Sequence, residues 1–348
     1  MVGAVAPSST VPPRGVRRSL RPSSASGQSL PSRHCGATAA LGARFRPSAE
    51  HRRYHPPVID PVAIQVGPLS IHWYGLIIAS AVLGAAILGT REAKRLGEDP
   101  DVGWAILLWA LVAGVAGARL YHVIHEWDFY RSNPGLILQI WKGGLGIPGA
   151  IAGGGAAVVL YTRAKGLPTA RWADIFAMAL PLGQAIGRLG NFVNQELYGP
   201  PTNLPWGIPI DAAHRVGPWT NLAAYPEATT RFVPLFAYEA ILSLVTLAAM
   251  LYISRRFAKR LFDGDMLLIY LMFYGLVRSY LETYRVENWM IAGIPTATWL
   301  GLGGFVVAGA LLWLRHARGW GTPATQPRTH QEADETGSAG KPADAEAG

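Results

Sequence analysis

Charge is scarce in this chain, and so is cysteine. Of the 348 residues only 15% are Asp, Glu, Lys or Arg, where a soluble globular chain carries about 25%. The deficit is concentrated in long uncharged runs. This excludes a soluble domain with a large core and implies a polytopic membrane protein. One cysteine, Cys35, excludes a disulfide within one chain. No apolar run precedes it, so Leu30 to Cys35 is read as neither a signal peptide nor a lipid-attachment site. No His, Cys and Asp cluster has metal-ligand spacing, so neither a metal nor another cofactor is expected. The formal net charge of +9 does not describe the fold, because residues 1–57 hold nine arginines and one glutamate. The basic character belongs to a tail, and no nucleic-acid partner is expected.

That tail is rich in Ser, Pro, Arg, Gly and Ala without periodicity. Disorder is expected over residues 1–57, with a translation start downstream of Met1 as the other explanation. Apolar runs follow. Trp73 to Thr90, Val102 to Ala118, Gly143 to Thr162 and Ile291 to Leu314 are uncharged. Ile175 to Gly187 ends at Arg188, Phe232 to Ser254 is broken only by Glu239, and Met266 to Tyr284 by Arg278 and Glu282. A spanning helix needs about 20 mostly apolar residues. The expected fold is therefore all-α with seven transmembrane helices, over residues 58–316. A disordered tail is expected over 317–348. Four basic clusters follow runs one, three, five and seven, beginning at Arg91, Arg163, Arg255 and Arg315. The positive-inside rule makes that side cytoplasmic, with the N-terminus outside and the C-terminus in the cytoplasm.

This topology gathers polar groups on the outer side. Arg188 and Asn191 end the fourth span. Tyr238 and Glu239 begin the fifth, and His72 and Tyr74 the first. Arg119, His122 and His125 end the second. Tyr274, Arg278, Glu282 and Arg285 share one face of the sixth. Charges at membrane depth cost about 3 kcal/mol on insertion scales and mark sites or pathways. Arginines beside a half-buried cavity suit a phosphate, because the guanidinium fork binds oxyanions bidentately and stays charged. A phospholipid headgroup is the natural ligand there. The plainer alternatives are an Arg278–Glu282 pair that neutralises itself, an Arg285 that snorkels, a Glu239 that bonds a neighbouring helix and structural histidines. Asp174, at the inner side, is read as a helix-start residue or the partner of an internal charge. A transporter of an anionic lipid or solute is the alternative function, although no internal repeat is visible. A structural or receptor-like bundle is the third.

The stretch Gly187-Arg188-x-Gly190-Asn191-Phe192-x-Asn194-x-Glu196-x-x-Gly199 resembles the signature of the prolipoprotein diacylglyceryl transferases. Supporting stretches occur in the family's order. They are Gly67 to Gly75, Trp141 to Gly146, Pro234 to Glu239, and Tyr274-Gly275-x-x-Arg278-x-x-x-Glu282-x-x-Arg285. The resemblance implies an enzyme of the bacterial inner membrane. It would transfer the diacylglyceryl group of phosphatidylglycerol to the lipobox cysteine of a preprolipoprotein signal peptide, forming a thioether and releasing glycerol phosphate. It implies that Arg188 and Arg278 hold the phosphate, ordered by Asn191, Glu196 and Glu282. Tyr74 and Tyr274 would line the cavity, Asn194 and Glu239 would join the substrate site, and Gly199 closes the signature. Two positions depart from the family pattern. Pro148 stands where many members have a histidine, and Val233 precedes Pro234 where they have another. The proton acceptor for the thiol is left open among Glu196, Glu282, water, His72 and His122.

Overall fold

The computed structural model describes residues 61–67, 69–285 and 290–324. The segment 1–57 and the residues beyond 324 lie outside this range. Seven helices of 18 residues or more occur among the described residues: α1 (Trp73–Arg95), α2 (Pro100–His125), α4 (Ile147–Ala164), α5 (Thr169–Val193), α6 (Leu235–Arg256), α7 (Asp265–Glu282) and α8 (Thr296–Arg318). A short α3 (Trp127–Ser132) follows α2. Two features depart from an all-α reading. Strands β1 (Val62–Val66) and β2 (Leu69–His72) form an antiparallel hairpin before α1, and β3 (Met290–Ile291) and β4 (Ile294–Pro295) form another before α8. The apolar run from Ile291 was expected to be wholly helical, yet its first residues are in this second hairpin and α8 begins at Thr296.

Four helices, α1, α2, α6 and α8, are long and apolar enough to cross a membrane. Their surfaces are inverted relative to a soluble bundle. Leu83, Leu108, Leu120, Leu300, Val306 and Trp313 all face outward. Apolar surface on this scale is stable only against lipid. The protein is thus a helical membrane protein. The remaining long helices carry the charges. Arg171, Asp174 and Arg188 lie on α5, and Asp265, Arg278 and Glu282 on α7.

Local signals set the helix ends. Asp99 caps α2 by accepting the Asp101 N–H at 2.9 Å, with Pro100 at its first position. α4 starts at Ile147, four residues into the uncharged run, because Gly143 and Gly144 adopt positive φ and turn the chain first. α5 outlasts its apolar run and remains helical through Arg188, Asn191 and Val193.

Packing draws the helices into an alternating bundle. α2 and α4 touch backbone to backbone, since a Cβ on Gly149 would collide with the Gly117 carbonyl and one on Gly153 with that of Ala113. At one end, here the basic end, the ends of α1, α6 and α8 meet the starts of α5 and α7. Glu92 pairs with Arg95 and Arg255. Arg171 pairs with Glu98 at 3.2 Å and Asp263 at 3.0 Å. Asp265 takes His316 at 2.8 Å and Arg315 at 3.5 Å. The chain after α8 folds back over this end, where Asp263 N–H donates to the Thr322 carbonyl and Ala324 N–H to that of Leu261.

Asp174 of α5 accepts the N–H groups of Gly264 at 2.6 Å and Leu267 at 2.8 Å. It therefore caps α7 from another helix, satisfying donors that the helix itself leaves unpaired. Arg188 and Arg278 each lie 14 residues beyond this pin, or about 21 Å of helix. Gln184 donates to the Tyr270 hydroxyl at 2.9 Å and forms a second rung between α5 and α7. The pin thereby sets both arginines toward the opposite, motif end.

Candidate active site

A cavity of about 480 Å³ runs between α1, α2 and α5. Its walls are apolar, with Ile78, Val82, Leu107, Leu111, Phe176 and Leu180 among them. It extends along α5 from Trp172 to Asn191, about 28 Å of helix and close to the thickness of a bilayer's hydrocarbon core. Polar groups gather at one end, where Tyr74, Arg188 and Asn191 form the rim. The Tyr74 ring packs on Gly190, and a Cβ there would stand 2.8 Å from it. That contact sets the rim tyrosine against the turn of α5 carrying Arg188.

Arg188 organises the rim. Its Nη1 donates to Asn191 Oδ1 at 2.9 Å, and its Nη2 pairs with Glu239 of α6. Its Nε is buried without a hydrogen-bond partner. A buried donor of this kind is costly unless something accepts from it. Asn191 is buried and passes the contact on, donating to Glu196 Oε1 at 3.0 Å. Asn194, the residue that ends α5, donates to the same oxygen at 3.2 Å. Glu196 sits in a chain reversal in which Gln195 has φ 51° and Leu197 φ 60°. Left-handed conformations at non-glycine residues cost about 1–3 kcal/mol each and cluster at functional sites.

A second arginine cluster adjoins the first. Arg278 of α7 pairs with Glu282 at 2.9 Å, and Arg285 reaches the same carboxylate oxygen at 3.7 Å. Burial, and then the neighbouring Arg278 guanidinium, lower the pKa of Arg285, and it also feels Arg188 and Glu239. Three guanidiniums therefore share one electrostatic environment. Their carboxylate partners Glu239 and Glu282 are buried, while the arginine side chains keep 22–27% exposure. A buried anchor behind a partly exposed cation leaves donor groups available to an oxyanion.

The remaining sequence-predicted residues divide. Tyr274 stacks on Tyr270 with centroids 5.9 Å apart and stands outside the cavity lining. Gly199 meets Val233 and Leu235 and donates its N–H to the Val233 carbonyl at 2.8 Å. Its contacts are those of packing, where the motif loop joins α6. That loop has its own small core of Tyr198, Ile210 and Phe232, with Arg215 beneath the Phe232 ring. His122 packs edge-on against Tyr130, and His125 stacks on Tyr121. Arg119, read from sequence as the end of a span, donates to the carbonyls of Leu136, Ile137, Gly143 and Gly144 and fixes the loop before α4. Sequence reasoning missed the cavity walls, because apolar residues facing a cavity carry the same pattern as those facing lipid.

Comparison with known proteins identifies the family. The model of the family described as prolipoprotein diacylglyceryl transferase matches residues 61–314. A phosphatidylglycerol–prolipoprotein diacylglyceryl transferase of Chloroflexus aggregans is 40% identical over 276 residues, covering 75% of this chain and 90% of its own. Those of Leifsonia xyli (40% identical, 72% of this chain, 76% of its own) and Symbiobacterium thermophilum (41%, 68% and 84%) are similar. The match takes in both arginine clusters, the signature that contains Arg188 and the cavity Arg188 borders, and the chain belongs to the prolipoprotein diacylglyceryl transferase family.

Proposed function

We propose that this protein transfers the diacylglyceryl group of phosphatidylglycerol to the lipobox cysteine thiol of preprolipoproteins, forming a thioether and releasing glycerol phosphate. The observation that carries this reading is the buried, unpartnered Nε of Arg188 at the polar rim of an apolar cavity. Such a rim suits the headgroup of a lipid, and the cavity suits its acyl chains. Family membership and the names of the relatives support the same reaction.

In this mechanism Arg188 and Arg278 bind the phosphate, with Arg285 beside them. The cysteine thiolate displaces phosphate at the glycerol carbon that bears it. The guanidiniums stabilise charge growing on the departing phosphate oxygen, an electrostatic effect preorganised before the bond breaks. Glu239 and Glu282 hold the two clamp arginines in place, and Asn191 orients Arg188. Tyr74 borders the headgroup, and Asn194 and Gly199 shape the loop that carries Glu196.

Seven spans are part of the proposal, with α4, α5 and α7 joining the four apolar helices. Lys94, Arg95, Arg163, Arg171, Arg255, Arg256 and Arg315 favour a cytoplasmic basic end. The rim then opens to the outer leaflet of a bacterial inner membrane, where a lipid donor and an emerging lipobox both arrive. The test is transfer of labelled diacylglyceryl from phosphatidylglycerol to a lipobox peptide, with release of glycerol phosphate. Arg188→Ala and Arg278→Ala are expected to reduce transfer about 10²–10³-fold in protein that still inserts. Normal activity in both would overturn the mechanism.

A further inference from the structure

Three carboxylates border the arginine clusters, and their surroundings differ. Glu239 is buried and bound to Arg188, and Glu282 is buried and bound to Arg278 and Arg285. Glu196 is half-buried, and amides hold it instead of a guanidinium. Both amides reach one oxygen, Oε1, and Oε2 accepts no hydrogen bond among the described residues. The backbone immobilises the group, since the Glu196 N–H donates to the Asn191 carbonyl at 2.9 Å between two left-handed residues. Position matters as much as freedom. A single amide, that of Asn191, joins Arg188 Nη1 to Glu196 Oε1. The carboxylate therefore lies beside the place where Arg188 would hold a phosphate. His72 is exposed at the start of α1, and His122 is packed against Tyr130, outside the cavity lining.

We infer that Glu196 is the proton acceptor for the attacking thiol, an inference that rests on the transferase reading. Oε2 takes the Sγ proton. The thiolate electron pair forms the new C–S bond, and the C–O bond to phosphate breaks with its electrons remaining on the phosphate oxygen. The proton then passes from Glu196 to the departing glycerol phosphate or to water. Asn191 couples the two halves of the site, since it orients both the cation that binds the leaving group and the base that activates the nucleophile.

The test pairs Glu196→Gln with two acceptors, a lipobox peptide and the same peptide with selenocysteine in place of cysteine. A selenol is already ionised at neutral pH and needs no base. Glu196→Gln is expected to slow transfer to the cysteine peptide by about 10²–10⁴-fold, with the KM for phosphatidylglycerol unchanged. Transfer to the selenocysteine peptide should fall less than about tenfold, and the cysteine reaction should recover as pH rises toward the thiol pKa of about 8.5. Equal loss with both peptides, or no recovery with pH, overturns the inference. If Glu196→Gln does not fold, Glu196→Asp carries the same comparison. Its slower cysteine reaction should be relieved by the selenol, and equal slowing of the two overturns the role. Wild-type protein that modifies neither peptide would instead defeat the transferase reading itself.

Discussion

The two ends of the bundle each hold buried ion pairs, and they use them in opposite ways. At the basic end Arg171 is 2% exposed, and its partners Glu98 and Asp263 are 7% exposed. Asp265 is fully buried between His316 and Arg315, and Asp174 is consumed by two N–H groups of α7. Arg171 is sealed with its anions there, whereas Arg95, Arg255, Arg315 and His316 keep 23–45% exposure, and the cluster holds helices in register. At the motif end the carboxylates are equally buried, but Arg188, Arg278 and Arg285 remain about a quarter exposed, and Arg188 Nε has no acceptor. The same residue types serve as a closed fastener at one end and an open receptor at the other. Ion pairing alone does not distinguish them. The unmet guanidinium donor of the cavity-lining Arg188 does, and exposure does not, since Arg95 and Arg255 at the basic end are more exposed than the motif-end arginines.

Substitutions can break this contrast. Arg171→Ala leaves Glu98 and Asp263 buried and unpaired, so unfolding stability should fall by about 3–5 kcal/mol. Adding Glu98→Gln and Asp263→Asn should recover part of the loss in a detergent melt. A triple variant no more stable than the single one would show that this end is more than a fastener. Arg188→Ala should reduce transfer about 10²–10³-fold. Here joint removal of the partner, as Glu239→Gln, should leave activity equally low, because the lost function is toward the substrate. Recovery in that double variant would make the motif end another fastener.

Asp174→Ala removes an acceptor from two backbone donors and should cost about 1–3 kcal/mol. Its secondary effect on transfer should come through the relative height of Arg188 and Arg278, which spin-label distances between α5 and α7 at the motif end would reveal as a shift. Unchanged distances would separate the two ends completely. Arg285→Ala should have the smallest effect. Its pair with Glu282 is long and partly exposed, so less than about 1 kcal/mol, a few-fold in rate, is expected. A loss as large as that of Arg188→Ala would place it in the clamp itself.

Much of the fold could be read along the chain. Each long uncharged run produced a helix, and for the four that are apolar enough to cross a membrane, burial in lipid demands that every backbone group bond within its own segment. The runs misled at their edges. Gly143 and Gly144 turn before α4, and the hairpin of β3 and β4 occupies the start of the last run. Both are short-range geometry invisible to hydropathy. Arg188 and Arg278 stood out because a charge inside an apolar run demands a reason. Tyr274 and Gly199 fitted the family pattern equally well, yet their contacts here are ring stacking and packing.

By itself, the sequence determined a membrane-embedded helical protein, two arginine-bearing helices and a polar motif rich in Asn and Glu. Those properties depend on which residues lie near one another along a helix, and spacing records that. Only the tertiary structure decided which carboxylate belongs to which arginine, that Asp174 caps a helix other than its own, that Arg188 borders the cavity, and that Glu196 is left to amides. Most of these depend on the rotation and height of separate helices, fixed by contacts such as Arg188–Glu239 and Asp174–Gly264 between residues 51 and 90 positions apart, while Glu196 depends on the left-handed backbone at Gln195 and Leu197, and local sequence pattern encodes neither.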